Sequence, residues 1–507
     1  MKRVLFAILS VLTANTFAQS PDLSKGVSVS TELSATLSDG DHAPFWLTAN
    51  QYGVPSVERN AGHLRAGLFR SAMKDTLRHW DIGYGADFVV PVHHTSHFFV
   101  QQLYADVRWF KGTLTIGQKQ QPMQLKNNEL SSGSQTLGIN ARPYPEARLA
   151  LPDYWAIPGT KGFLSFKGHI AFGIYTDNRF QKDFAAGTGD YDEHVLMHTK
   201  AGYLKFGKQG KPFSVEAGLE MATQFGNKHY EYTVNGYRTF TCSHDLKAFA
   251  NAIVGGGSDQ NDGAIHNNEG NMLGSWVLRL NYDTKDATFG LYADHFFEDH
   301  SAMFHLDYNG YASENGTIVR KDKRYLLYPL KDIMLGADVH LKHCKWLSDA
   351  TLEYIYTRYQ SGPVYADRTS QLPDHIGGKD DYYNNHIEPG WQHWGQAIGN
   401  PLYRSPIYNT DGNLLFQCNR FTAWHVGIAG QPTPDLHYRL RATWQEGLGT
   451  YDRPYCEPQR TFSMGIEANY RLSALCRGLS IGAAFGFDHG ALYGDNTGGR
   501  LTLRFER

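Results

Sequence analysis

The sequence predicts an all-β protein, a transmembrane antiparallel β-barrel of about 16–18 strands whose lumen is plugged by short helical or irregular segments. Three observations carry this prediction. The chain begins with a secretion signal, and the chain behind it repeatedly alternates between apolar and polar residues. No later run is long and apolar enough to span a membrane as a helix. An exported chain without a spanning helix can cross a membrane only as a closed barrel.

Residues 1–18 have the three parts of a signal peptide. Two basic residues precede a short apolar run from Val4 to Leu12, and small residues follow up to Ala18. We therefore expect cleavage after Ala18, which leaves residues 19–507 as a single outer-membrane β-barrel domain with inserted loops and plug segments. The apolar run is far shorter than the roughly 20 residues that a spanning helix needs.

The clearest strand signal covers residues 436–445, which alternate at every step. Leu436 and Trp444 belong to one face of this strand, and Arg439 and Arg441 belong to the other. Two arginines on one face indicate that this face meets water, while the opposite face meets an apolar phase. The same alternation recurs at residues 103–109, 215–221, 276–282, 333–341, 352–357, 464–472, 479–488 and 501–506.

A secreted sandwich or propeller would also alternate, so further features separate it from a membrane barrel. The alternating segments run to about nine or ten residues, the length at which a tilted strand crosses a bilayer. Aromatic residues make up 13% of the chain and recur near strand ends, as in an interfacial girdle. One departure is that Phe505 is followed by Glu506 and Arg507, whereas many outer-membrane barrels end on an aromatic residue.

Composition excludes several classes of partner. The net charge is −2 and no basic face is visible, which argues against nucleic acid. The five cysteines form no CxxC and have no metal-ligand spacing, so we expect no metal and no cofactor. The partners that remain are outer-membrane lipid and a ligand bound by the barrel. We expect the protein to be monomeric.

Three stretches interrupt the alternation, at residues 43–53, 119–161 and 361–412. Irregular segments of this length are often functional. They are expected to form extracellular loops, lumen plugs or short periplasmic helices.

A series of short sequence words, several of them in these stretches, occurs in order along the chain: Ala43-Pro44-Phe45-Trp46-Leu47, Asn50-Gln51-Tyr52-Gly53, Ala141-Arg142-Pro143-Tyr144-Pro145, His295-Phe296-Phe297-Glu298-Asp299, Glu353-Tyr354, Gln360-Ser361-Gly362-Pro363, Tyr382-Tyr383-Asn384-Asn385, Gly390-Trp391 and Ile398-Gly399-Asn400-Pro401-Leu402. With these words the chain resembles the Wzi-type capsule assembly proteins, in the version common in Bacteroidetes. The resemblance implies an outer-membrane barrel with a helical element closing its periplasmic side. It also implies a lectin-like, non-catalytic role in holding capsular or other exported polysaccharide at the cell surface.

The chain departs from the family pattern within its most specific block. Asn385 stands between Asn384 and His386, where the family has Asn-His directly, and Ile387-Glu388-Pro389 replaces a Tyr-Gln-Ser run. If this block contacts ligand, its details differ here.

Polysaccharide binding needs aromatic rings for the apolar faces of sugars and planar polar groups for their hydroxyls. One segment of the chain supplies both, and Arg439 and Arg441 would add positive charge for an acidic glycan. The alternative interpretation is that these aromatic rings and amides pack a loop, and that the arginines balance lumen acids such as Glu467. The candidate polysaccharide-binding residues are Tyr382, Tyr383, Asn384, Asn385, Trp391, Trp394, Asn400, Arg439 and Arg441.

No catalytic constellation stands out, so we expect no enzyme. Neighbouring Asp and His residues occur several times, but adjacent strand residues point to opposite faces and rarely form a dyad. Glu298 with Asp299 is the obvious carboxylate pair for glycoside hydrolysis, and is better explained as solvated loop acids. The runner-up function is a porin or solute channel, and the third is a barrel enzyme acting on lipid or glycan.

Overall fold

The computed structural model describes residues 22–72, 80–256, 270–298, 305–307, 311–312, 318–319, 324–326, 331–366 and 375–507. Its main element is an 18-stranded antiparallel sheet whose last strand pairs with its first. The sheet is therefore a closed barrel, and the predicted fold class is confirmed. The signal peptide and its cleavage site lie outside the described residues.

The barrel strands follow one another in chain order. They are β1 (Val27–Asp39), β2 (Asn60–Arg70), β3 (Trp80–Val92), β4 (Phe99–Trp109), β5 (Gly112–Gln118), β6 (Pro145–Ala156), β7 (Leu164–Ile174), β8 (Leu196–Phe206), β9 (Phe213–Phe225), β10 (Asn271–Asp283), β11 (Ala287–Glu298), β12 (Ile333–Leu341), β13 (Asp349–Tyr356), β14 (Phe421–Thr433), β15 (Leu436–Gly449), β16 (Pro454–Arg471), β17 (Leu479–Gly490) and β18 (Asn496–Glu506).

The two faces of the wall differ as the alternation predicts. Leu33, Leu37 and Leu501 are exposed on the outer face, which is apolar and suited to lipid. On β15, Trp444 is exposed outward, whereas Arg441 is buried inside the lumen. Burial of a charged residue on the inner face means that the lumen contains protein rather than only water.

The two ends of the barrel differ in the length of their connections. One end, which we call the short-turn end, has short turns such as residues 110–111, 284–286 and 434–435, and the last strand ends there. The other end has long connections, including residues 119–144, 226–270 and 357–420. Since outer-membrane barrels have short periplasmic turns and longer extracellular loops, we assign the long-loop end to the outside.

The helices among the described residues are short: α1 (Phe45–Thr48), α2 (Asn178–Ala185), α3 (Leu246–Val254) and a 3-10 turn at Pro406–Tyr408. In the part of the chain that the structure describes, no helix is long and apolar enough to cross a membrane. All these helices belong to long-loop connections. The family resemblance led us to expect a helical element at the periplasmic end, but the described turns at the short-turn end contain no helix.

Short strands pair outside the barrel sheet. They are Tyr191–Glu193, Lys228–Thr233 and Gly236–Thr241 in one small sheet, and the pairs His305–Asp307 with Arg324–Leu326, Tyr311–Ala312 with Ile318–Val319, Ser361–Ala366 with His375–Lys379, and Gln392–His393 with Gln396–Ala397.

The expectation that residues 119–161 are irregular is correct only for their first half. Pro145–Ala156 forms barrel strand β6, and its pairing with β7 shifts register between Leu151 and Trp155. Pro152 lies within this shift. A proline cannot donate a backbone hydrogen bond to the sheet and is tolerated at bulges. The resulting shift breaks the apolar–polar alternation, so the alternation does not reveal this strand.

Candidate functional site

Three connections at the long-loop end fold back into the barrel and fill its lumen. We call residues 40–59, 119–144 and 380–420 the plug. Hydrogen bonds join these segments: Asn50 Nδ2 donates to the carbonyl of Ser132 at 2.9 Å, and Trp391 Nε1 donates to that of Thr136 at 2.9 Å. Trp46 and Trp391 are fully buried in the largest apolar cluster of the molecule. The plug is therefore a packed core rather than a set of loose loops.

Acidic side chains on the lumen face of the wall hold the backbone of the plug. Glu353 accepts a hydrogen bond from the amide of Ser132 at 2.8 Å and another from the hydroxyl of Tyr292 at 2.5 Å. Glu298 accepts one from the amide of Tyr383 at 2.7 Å. Hydrogen bonds to an ionised carboxylate are stronger than neutral ones, so these acids anchor the plug to the wall.

One buried ion pair adds to this anchoring. Lys126 Nζ of the plug lies 2.8 Å from Asp294 of β11, and both side chains are buried. Burial opposes the charged form of Lys126, but the carboxylate of Asp294 outweighs it and raises the lysine pKa. Asp294 also accepts a hydrogen bond from the amide of Gln135 at 3.2 Å.

Arg439 and Arg441 belong to a cluster around Glu467. Arg439 Nη2 lies 3.0 Å from Glu467, and Arg441 Nη2 lies 3.1 Å from the same carboxylate. Arg441 also donates to the carbonyl of Trp46 at 2.7 Å, at the first plug segment. Arg500 joins the cluster by donating to the carbonyl of Leu47 at 2.7 Å. Arg441 and Arg500 therefore hold α1 against the wall, whereas Arg439, among the described residues, bonds only to Glu467.

Most of the other predicted sugar-binding residues lie inside the plug. Tyr382, Tyr383, Trp391 and Asn400 are fully buried, and Asn384 is nearly so. None of these side chains presents an accessible ring or amide at the outer surface of the described structure.

The contacts of these residues explain their burial. The ring of Tyr383 stacks on that of Tyr403 with 3.9 Å between centroids, and its hydroxyl donates to the carbonyl of Gln135. The side chain of Asn400 donates to the carbonyl of Gly133 at 3.2 Å. These rings and amides therefore connect the third plug segment to the second.

Trp394 lies at the edge of the plug and is half-buried. Its amide donates to Asp177 at 3.0 Å, and the guanidinium of Arg142 lies 4.2 Å from its ring centroid. Burial lowers the pKa of Arg142 to about 9. The same guanidinium lies 3.7 Å from the ring of Phe99, so it is held between two aromatic rings.

An aromatic surface at the long-loop end was missed by the sequence analysis. We call it the tyrosine face; it consists of Tyr191, Tyr230, Tyr232 and Tyr237. Tyr191 and Tyr230 stack with 4.4 Å between centroids, and Tyr232 lies edge-on to Tyr237 at 5.8 Å. The rings of Tyr191 and Tyr230 pack on a small apolar cluster, whereas Tyr232 and Tyr237 are 44% and 37% exposed.

A sequence signal for this surface was present. Asn235-Gly236 follows alternating tyrosines and precedes Tyr237, and an Asn-Gly pair between alternating residues marks a hairpin. Gly236 adopts φ +105°, as the turn requires.

Behind the same small sheet lies a pocket that we call the Asn385 pocket. Its volume is about 80 Å³, and it is lined by Asp190, His229, Asn385, His386 and Asn413 among others. The carbonyl oxygen of the Asn385 side chain accepts from the amides of Ile387 and Glu388 at 2.9 and 3.2 Å. Its amide nitrogen has no hydrogen-bond partner among the described residues. Asn385 is thus the predicted residue that the structure places on an outer cavity.

The lumen also holds two larger cavities between the plug and the short-turn end. One measures about 370 Å³ and is lined by Arg439, Arg500 and Arg504, with Glu32 and Glu467 beside them. The other measures about 310 Å³ and is lined by side chains of both charges, including Arg279 and Glu216. Within the residues that the structure describes, no cluster of His, Cys, Asp or Glu is arranged to hold a metal ion.

Comparison with known proteins identifies the architecture. The chain is similar to the Escherichia coli protein Wzi, an outer membrane protein involved in group 1 capsule assembly and a carbohydrate-binding β-barrel; the TM-score is 0.53 at 12% identity, over 99% of this chain and 87% of that one. It is also similar to Pseudomonas aeruginosa OprD (TM-score 0.45, 11% identity, 97% of both chains). Acinetobacter baumannii OccAB4 is a third (TM-score 0.45, 10% identity, 95% of this chain and 98% of that one).

No family model matches the sequence, and no curated protein matches it significantly. The similarity therefore concerns the fold. The chain is an outer-membrane-type β-barrel of the kind found in Gram-negative bacteria, with a Wzi-like architecture.

Proposed function

We propose that this protein is a non-catalytic, lectin-like barrel of the outer membrane that binds exported polysaccharide and helps to assemble or anchor capsule at the cell surface. The observation that carries the proposal is an exposed tyrosine surface at the long-loop end, above a lumen that the plug fills. Loops of this length are extracellular in outer-membrane barrels, so this surface meets polysaccharide outside the cell.

The chemistry of this end suits sugars. The exposed rings of Tyr232 and Tyr237 offer apolar faces with a polar hydroxyl at the rim. The Asn385 pocket lies on the other face of the same sheet and provides amide, imidazole and carboxylate groups for hydroxyls. A few polar groups beside an apolar surface are the usual composition of a site that fixes a ligand's orientation.

The proposal divides the nine candidate residues into two groups. Asn385 belongs to the ligand surface, and Trp394 lies at its edge. The plug-packing role belongs to the seven others: Tyr382, Tyr383, Asn384, Trp391, Asn400, Arg439 and Arg441. A closed barrel has no unpaired edge and requires no second copy, so we propose a monomer.

A solute channel is the second candidate, and the two cavities beneath the plug favour it. Together they leave part of the lumen open at the short-turn end. A channel, however, needs a continuous path, and the packed core around Trp46 and Trp391 interrupts it.

Two measurements on the purified full-length protein test the proposal. In planar bilayers we expect no ion conductance, and in a binding assay we expect saturable binding to polysaccharide from the cell's own envelope but not to a neutral dextran. Conductance without binding would instead establish the channel. Shortening of the polysaccharide chains during incubation would indicate an enzyme.

A further inference from the structure

Helix α3 lies on the outside of the barrel wall. Its buried residues Ala248 and Ala252 pack in one cluster with Phe172, Leu196 and Phe225 of strands β7, β8 and β9. In the alternation of these strands, the three wall residues share a face with Ile174, Leu204 and Phe213, which are exposed to the outside. The helix therefore covers the lipid-facing side of the barrel, near the long-loop ends of the strands.

The surface under α3 is unusual for a lipid-facing wall because it contains polar residues. Lys200 Nζ donates to the carbonyl of Ile253, and Thr223 Oγ1 donates to that of Ala252 at 3.5 Å. Both acceptors are in the last turn of the helix, whose carbonyls have no partner within the helix and attract a cation. Without the helix, the charged side chain of Lys200 would face hydrocarbon, which is unfavourable to an extent that depends on its depth in the bilayer.

His198 lies on the same outer face, opposite Thr223 of β9 and two residues before Lys200 on β8. It is fully buried, its Nδ1 lies 2.9 Å from the carbonyl of Ala171, and its ring is 4.4 Å from that of Phe172. Along β8, His198 and Lys200 are therefore polar lipid-facing positions that protein covers.

The opposite face of α3 is also apolar, apart from the exposed Lys247 in its first turn. Leu246 is 89% exposed and Val254 is 73% exposed, although both ends of the helix are well defined. Asp245 caps the start by accepting from the amide of Ala248 at 2.9 Å, and Gly255 ends the helix in a left-handed conformation. A helix that is apolar on both faces is suited to a non-aqueous surrounding on its free side.

We propose that α3 is an external membrane helix, which covers Lys200 and His198 and binds the acyl chains of the surrounding outer-membrane lipid through Leu246, Ile253 and Val254. The occupant is lipid because the exposed face of α3 continues the apolar outer belt of β7, β8 and β9. This inference concerns membrane contact and is independent of polysaccharide binding.

Fluorescence quenching in vesicles tests this assignment. In a full-length protein whose native cysteines are replaced by serine, Val254→Cys is labelled with an environment-sensitive fluorophore and reconstituted into phosphatidylcholine vesicles. Val234→Cys is the matched control, because Val234 is 97% exposed at the hairpin tip of the same connection. We expect nitroxide-labelled lipid to quench the label at 254 several times more strongly than that at 234, and iodide to show the reverse order.

Leu246→Cys provides a second label site if the first variant does not fold, with the same expected pattern. Strong iodide quenching at 254 or 246 without lipid quenching would overturn the proposal, since the helix would then be in water. Shielding from both quenchers would also overturn it and would indicate that protein covers this face.

Discussion

Residues 382–403 of the third plug segment and the tyrosine face contain the same kinds of residue, but these residues are buried in the plug and exposed on the tyrosine face. In the plug, the rings of Tyr383 and Trp391 are fully buried and their polar atoms bond to the backbone of another plug segment. On the tyrosine face, Tyr232 and Tyr237 present their rings to solvent. Aromatic and amide residues together therefore indicate a sugar site only where the chain leaves them accessible.

The largest expected effect comes from emptying the plug core. Trp391→Ala should destabilise the plug by about 3–5 kcal/mol, because the tryptophan is fully buried and the vacated space is only partly refilled. Hydrogen exchange of residues 130–140 should become much faster, and bilayer recordings should show openings that the wild type lacks.

Trp394→Ala is the matched control, since this tryptophan is half-buried at the edge of the plug. We expect it to leave the lumen closed. If Trp391→Ala leaves both hydrogen exchange and conductance unchanged but abolishes polysaccharide binding, the division between packing and binding residues is wrong.

Glu467→Gln should have the next largest effect. Three arginines, Arg439, Arg441 and Arg500, contact this carboxylate, and its removal leaves their charges uncompensated. Breaking a buried pair in this way costs about 3–5 kcal/mol, and less where water in the adjoining cavity screens the charges. The signature is faster hydrogen exchange at α1, and Glu506→Gln, at the exposed end of β18, should show none.

Asn385→Asp should weaken polysaccharide binding moderately, because it removes the amide donor. The fold should be unchanged, since the new carboxylate still accepts from the amides of Ile387 and Glu388. The loss of one or two hydrogen bonds to sugar hydroxyls corresponds to about 0.5–1.5 kcal/mol each, or a few-fold to tenfold in affinity. Isothermal titration calorimetry with the envelope polysaccharide measures this change in affinity. Asn384→Ala should instead reduce thermal stability, because its side chain bonds to the backbone of Phe416.

The smallest effect is a pH dependence of the small sheet. Burial opposes protonation of His229, but its bond to Asp192 at 3.0 Å outweighs this and raises the histidine pKa above 6.5. The pair therefore stabilises the sheet fully below about pH 6.5, and this contribution, under about 1 kcal/mol, is lost as the pH rises through the raised value. Protection factors of residues 228–241 should fall over that range, and His229→Gln should remove the dependence.

The barrel was predictable because each wall residue faces either lipid or lumen. Strict period-two alternation shows which face each residue takes, as at residues 436–445. The strand number was predicted only as about 16–18, from the length of chain available for strands, turns and loops, and the barrel has 18. Phe505 pairs with Thr31 and Leu479, which completes the closing strand. Strand β6 was missed because the register shift around Pro152 breaks the period.

The site was less predictable because sequence does not record burial in irregular segments. The residue types of Tyr382 and Asn400 suggested ligand-binding groups. In the structure they bond to Asp332 and Gly133, which come from distant parts of the chain. Conversely, polarity alone would assign Lys200 and His198 to the lumen, whereas the structure places them on the outer face, where protein covers them. Only the folded arrangement of the long connections distinguishes these cases.

The central claim is that polysaccharide binds at the tyrosine face and not within the plug. Its most direct test is the affinity of the double variant Tyr232→Ala, Tyr237→Ala for the envelope polysaccharide, beside Trp346→Ala, which removes an exposed ring at the short-turn end. We predict at least a tenfold loss, on the order of 1.4 kcal/mol or more, for the double variant with hydrogen exchange of the plug unchanged, and no loss for the control. Undiminished affinity in a correctly folded double variant would contradict the account.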